Sequence, residues 1–295
     1  MQLADTKQHF LDWLTQEWVI LFGRKFDPTN EKWLIGPFGE IDGIGEAFIQ
    51  QLANKEQLSV VRNQTSTGLL SSIKELNLPE EELARLSNKV INFYENTANY
   101  ELHLNVKWNP IFKIFGFLVN RLFSRRINQL NIPLKNVADS MLTSEIIQLV
   151  EKESRAVKYT IWLRKIEKTG QVIYSGVYGT TILPSKQTCI KAVFPLPKGN
   201  ATVIMKPSVG EDNELILDSS GRTFNDAGFY FLLNDVKGNF CAKFVASFTD
   251  KLIVKEENGL LKATQTLKLW NLKVAQFNYK LLAKIPSENQ TMFVG

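Results

Sequence analysis

From Val157 onward the chain is a succession of short runs rich in β-branched and aromatic residues, broken at regular intervals by turn chemistry, with no helix-length segment between them. The runs fall at 157–166, 171–179, 187–195, 200–206, 213–218, 228–234, 239–248, 251–256, 260–270 and 273–282. Turn signals separate them at Lys168-Thr169-Gly170, Pro197-Lys198-Gly199, Val236-Lys237-Gly238 and Asn258-Gly259. Connections this short make neighbouring strands antiparallel and exclude a parallel βαβ sheet. About ten strongly twisted strands close on themselves or split into two layers. The expected architecture is therefore an antiparallel β-barrel or strongly curved sheet, with a β-sandwich as the alternative.

The first half reads differently. At 7–22, Phe10, Trp13, Leu14, Trp18 and Leu21 form a helical stripe expected to lie on the core, and 79–95 reads as a helix with Pro79 and Glu80, Glu81 and Glu82 at its start. Tyr100, Leu102, Leu104 and Val106 alternate with polar residues, which predicts one strand near 99–107 within this half. The glycine-rich stretch from Gly36 to Gly45 lacks the spacing of a dinucleotide loop and carries Glu40 and Asp42, so it reads as a tight structural loop. The fold class is α+β: a mainly helical region at 1–155 packed on an antiparallel β region at 156–284, with a tail at 285–295. The two regions are compatible with one compact domain.

A chain of 295 residues with 44% apolar content can bury a core without metal or disulfide staples. Cys189 and Cys241 lie inside predicted strands and read as buried free thiols. No basic stretch followed by an apolar one opens the chain, so a cytoplasmic location is expected. The net charge of +5 is uneven: residues 1–150 hold 15 Lys/Arg against 17 Asp/Glu, and residues 151–295 hold 20 against 13. The strand-rich half thus favours anionic partners, but its lysines are scattered, and nucleic acid is not expected.

Catalytic vocabulary is sparse. His9 and His103 stand at no recognisable spacing from a nucleophile, and neither a cysteine-pair nor a histidine-rich metal motif occurs, so no metal or cofactor is expected. Candidate ligand-binding residues come from the strands. Phe240, Phe244 and Phe248 alternate with small residues, as inside a tapering barrel. Trp162 and Arg164 share one face of their strand. If that face is the inner one, Arg164 is a cation in an apolar container and needs an anionic partner. If Tyr159, Ile161 and Leu163 point inward instead, Arg164 is solvated. The polar stretch from Asp218 to Asp226 reads first as an ordinary polar loop; if it is functional, Arg222 grips an anionic group while Asp226 or Tyr230 orients or protonates it.

Three functions are compatible with this reading. The first is binding of a hydrophobic or amphipathic, lipid-like anionic small molecule in a barrel pocket. The second is a cofactor-independent enzyme of cyclase, isomerase or hydrolase type using the same pocket. The third is a membrane-surface or protein-interaction module built on 111–126, an apolar helical segment too short to span a membrane that ends in Arg121, Arg125 and Arg126 and that is either buried between other elements or laid against a membrane interface.

Overall fold

The computed structural model describes residues 10–40, 44–62, 64–112 and 137–284. In chain order the elements are α1 (Phe10–Phe22), β1 (Arg24–Lys25), α2 (Ala47–Lys55), β2 (Ser59–Val61), α3 (Glu80–Arg85), α4 (Asn88–Glu95), β3 (Tyr100–Trp108), β4 (Val137–Val150), β5 (Val157–Ile166), β6 (Val172–Ile182), β7 (Thr188–Leu196), β8 (Gly199–Val209), β9 (Leu215–Asp218), β10 (Gly228–Asn234), β11 (Phe240–Phe244), β12 (Phe248–Glu257), β13 (Leu260–Leu269) and β14 (Leu272–Ala283).

Ten strands close into an antiparallel barrel in the order β3-β4-β5-β6-β7-β8-β9-β12-β13-β14, with β14 returning to β3. The barrel expectation holds, but its membership differs. Eight walls come from the strand-rich half, while β3 and β4 come from the first half, and β4 runs on into β5 by direct pairing across residue 155. The remaining two strands of the second half leave the ring. Residues Gly199 to Ile204 of β8 pair with β10, whereas Lys206 to Val209 pair with β9. The sheet branches there: β9 closes the barrel, and β10, β11 and β1 form a flap on its outside.

Among the described residues the first half is not mainly helical. It contributes four strands and, among the described residues, four α-helices, the longest of 13 residues. The helix read at 79–95 breaks into α3 and α4 because Leu86 is extended and the Ser87 side chain accepts from Lys89 N, starting a new helix. Nor does α1 lie with its apolar stripe inward. It packs through Val19 and Ile20 on the flap and leaves Leu14, Trp18, Leu21 and Phe22 exposed.

Two layers of apolar side chains follow from strand alternation. Outside the barrel, Ile147, Leu149, Ile161 and Leu163 are covered by Phe48, Ile49 and Leu52 of α2. Inside, Trp162, Tyr174, Val203, Phe277 and Tyr279 belong to one cluster with Leu69, Ile73, Leu76, Val90 and Phe93, so the segment 64–99 plugs one end of the lumen. Each such large apolar side chain, once fully buried, contributes roughly 1.5–3 kcal/mol.

Two hairpins use two-residue turns whose central residues both have positive φ, the conformation that matches strand twist. Asn258-Gly259 (53° and 77°) is the turn expected from the sequence, and Trp270-Asn271 (48° and 63°) is a second one, between the runs 260–270 and 273–282. Nothing lies within 4 Å of a Cβ placed on Gly259, so Gly259→Ala should cost only its backbone strain, about 1 kcal/mol. Urea denaturation should register that loss without a change in slope.

Candidate functional site

Because Trp162 and Arg164 both point into the barrel, a charged group lies in the lumen. Directly opposite them in β6 stand Gly176 and Tyr174, and the missing side chain at Gly176 leaves room for the neighbouring Phe194 and Tyr178 rings. These groups surround a cavity of about 70 Å³ that Asp250, Gln265 and Tyr279 complete from the opposite wall.

Arg164 is 6% exposed. Its guanidinium carbon lies 4.0 Å from the Trp162 ring centroid and 4.5 Å from that of Tyr174, so aromatic faces cover the cation. One terminal nitrogen donates to the Tyr178 hydroxyl at 3.1 Å. Nε has no hydrogen-bond partner, and among the described residues no carboxylate lies within salt-bridge distance of the guanidinium. Trp162 is fixed in turn by its Nε1, which donates to Ser144 Oγ at 2.9 Å.

Across the cavity, Asp250 is also 6% exposed, and its Oδ2 accepts from Gln265 Nε2 at 2.6 Å while Oδ1 has no partner. Burial pushes its carboxyl up to about 7; the Gln265 hydrogen bond opposes the rise, nearby Asp218 adds to it, and Arg164 works against it. The Tyr279 hydroxyl approaches the guanidinium without a well-aligned hydrogen bond, and burial pushes this phenol up to about 12. Tyr174 and Tyr178 are raised for the same first reason and remain neutral donors and acceptors.

Such a site offers a carboxylate or similar anion the edge of a stacked guanidinium, and a second carboxyl that donates a hydrogen bond while protonated. A carboxyl with a pKa near 7 also has the poise of a general acid or base. Among the described residues, no three His, Cys, Asp or Glu side chains come together to hold a metal ion.

The other sequence candidates lie away from the cavity. Asp226 accepts from Arg222 N, Thr223 N and Thr223 Oγ1 at 2.9–3.0 Å, so it staples its own loop, with its carboxyl held low by the Thr223 amide first. Arg222 is exposed. Tyr230 is buried against Trp33, Phe224 and Phe244 and donates to the Asp226 carbonyl at 2.6 Å. Phe240 and Phe244 lie on the flap, under the segment that carries Phe26, Trp33 and Phe38, and Phe248 stacks edge-on with Phe229 at 5.0 Å. The large/small alternation of Phe240 and Phe244 fits a covered flap rather than the lumen, since β11 is not a barrel wall; Phe248 opens β12, which is one, but does not line the cavity. Arg121, Arg125 and Arg126 lie outside the described residues, as does the tail at 285–295.

Asp250, Gln265, Tyr174, Tyr178 and Tyr279 were not singled out from the sequence. Tyr174 and Tyr178 were accessible to it: at even spacing around Gly176 they share a face, and a hairpin register for 157–179 sets that face beside Arg164.

No family model matches the chain, and no solved structure matches it. It is 26% identical over 215 residues, 72% of its own length, to a protein of Bacillus subtilis (strain 168) named Uncharacterized membrane protein YndJ. The chain spans 37% of that relative's length. A cytoplasmic location, expected from the N-terminus, is overturned by this relative's name. Among the described residues no helix is long and apolar enough to cross a membrane.

Proposed function

We propose that the barrel is a container for a small anionic molecule, whose charge meets Arg164 and Asp250 and whose body lies against Trp162, Tyr174 and Phe194. The observation that carries this reading is a buried guanidinium that, among the described residues, has no carboxylate within salt-bridge distance, opening on a cavity where two more buried polar atoms, Asp250 Oδ1 and Tyr279 Oη, lack hydrogen-bond partners. An isolated buried charge is too costly to be neutral baggage, and an anionic ligand would offset it.

Cavity size narrows the ligand class. A volume of about 70 Å³ corresponds to roughly five waters, hence to a short carboxylic acid rather than a long acyl chain, unless the 64–99 plug moves. Thermal-shift titration with acetate, pyruvate, benzoate and inorganic phosphate against chloride at equal ionic strength tests it. A bound acid at a hundred times its Kd should add about 2.7 kcal/mol of stability. Binding should weaken above pH 7, where an ionised Asp250 repels a second carboxylate. Absence of any acid-specific stabilisation at pH 6 would remove the reading.

The relative's name favours a second reading, attachment to a membrane surface, which the sequence suggests for 111–126 with Arg121, Arg125 and Arg126. Co-flotation with anionic vesicles tests it.

A further inference from the structure

The β13–β14 hairpin ends in Lys268-Leu269-Trp270-Asn271-Leu272-Lys273. Its turn requires two left-handed residues, positions that suit Asn, Asp or Gly, and one of them is a tryptophan. Burial does not account for that choice, because Trp270 is 70% exposed and Leu272 57%. Beside them Ile111 is 81% exposed, and it is tied to the same tip by Asn109, whose backbone and side-chain nitrogens donate to Val274 O and Lys273 O at 3.0 and 2.8 Å.

Lysines ring these apolar groups. Lys268 and Lys273 stand directly opposite one another across the strand pair, an arrangement that is repulsive by itself. Lys107 faces Gln276, the side chain to which Lys273 Nζ donates. Among the described residues, none of the three lysines forms an ion pair with a carboxylate. Strained turn, exposed tryptophan and uncompensated cations thus converge on one end of the barrel.

We propose that this tip is the contact with an anionic phospholipid surface. Trp270, Leu272 and Ile111 enter the headgroup boundary, where an amphipathic indole is favoured, and Lys107, Lys268 and Lys273 meet the phosphates. The inference rests on the membrane-surface reading above and assigns it to a described part of the molecule.

The test is flotation of the full chain with vesicles of phosphatidylcholine containing a third phosphatidylserine, against phosphatidylcholine alone, at low and high salt. Binding should need phosphatidylserine and fall with salt. Trp270→Asn puts a residue suited to the turn in place of the tryptophan. It should therefore fold at least as stably as the parent, by urea midpoint, while partitioning at least about ten-fold more weakly. Lys268→Gln with Lys273→Gln should lower partitioning by about 25-fold, roughly five-fold for each lysine. If the chain floats and both variants float equally well, while replacing Arg121, Arg125 and Arg126 by Ala abolishes flotation, the tip is not the contact although the membrane reading stands. If the parent never floats, both fail. Self-association in sedimentation that is lost in Trp270→Asn would overturn the lipid assignment in favour of a second copy of the chain.

Discussion

Arg164→Met is expected to yield a protein more stable than its parent by about 1–2 kcal/mol and unable to bind small acids. Arg164 holds a charge in the lumen with no carboxylate in salt-bridge reach among the described residues, and replacing buried ionic groups by apolar side chains of similar volume is commonly neutral or stabilising by about 1–4 kcal/mol. Two losses work against the gain. The stacking on Trp162 and Tyr174 becomes ordinary packing, and the Tyr178 hydroxyl loses its donor, at about 1 kcal/mol. Methionine fills an irregular space of this size with little strain. Urea denaturation of the ligand-free protein checks the sign, and the acid titrations check the binding. A fall of several kcal/mol would mean that the guanidinium is a keystone of the ring stack, and the container reading would lose the observation it rests on.

Asp250→Asn is expected to have its largest effect on pH dependence. The folded carboxyl titrates near 7, against 3.8 as its ordinary value, so between these pH values the folded state holds a proton that the unfolded state has released. Stability must then fall as pH rises through this window, by on the order of 2–4 kcal/mol in total, and level off above it. Asparagine keeps an acceptor for Gln265 and has no proton to lose. The variant should match its parent near pH 4 and exceed it by that amount at pH 8, as measured by urea midpoints. Other shifted groups act elsewhere. Glu46, Asp226 and Asp235 have lowered values, so their stabilisation is present above the ordinary carboxylate range and is lost only in acid. Lys191, lowered to about 8 by burial, makes stability rise with pH only above that point.

Strand alternation made β5 legible down to which residues share a face, yet it could not choose the inner one. The reason is that both faces are buried, Trp162 and Arg164 in the lumen and Ile161 and Leu163 under α2. The same double covering hid the flap. With α1 on one side of β10 and β11 and the 26–38 segment on the other, their apolar pattern equals that of a barrel wall. Asp250 was invisible because it falls between the runs 239–248 and 251–256, while the strand begins at Phe248 and carries it into the lumen. In β4, polar Ser140, Ser144 and Gln148 recur every fourth residue, a spacing that does not announce a strand.

The seam between β3 and β14 sets a schedule for synthesis. Tyr100–Trp108 finds its second neighbour only in Leu272–Ala283, so a nascent chain carries β3 with one unpaired edge until about 175 further residues have been added. At roughly 5–20 residues per second, that edge waits on the order of 10–30 s on the ribosome. Leu102, Leu104 and Val106 have no closed lumen to enter during that interval, which makes β3 the place where a chaperone or a misdirected strand would first meet this protein.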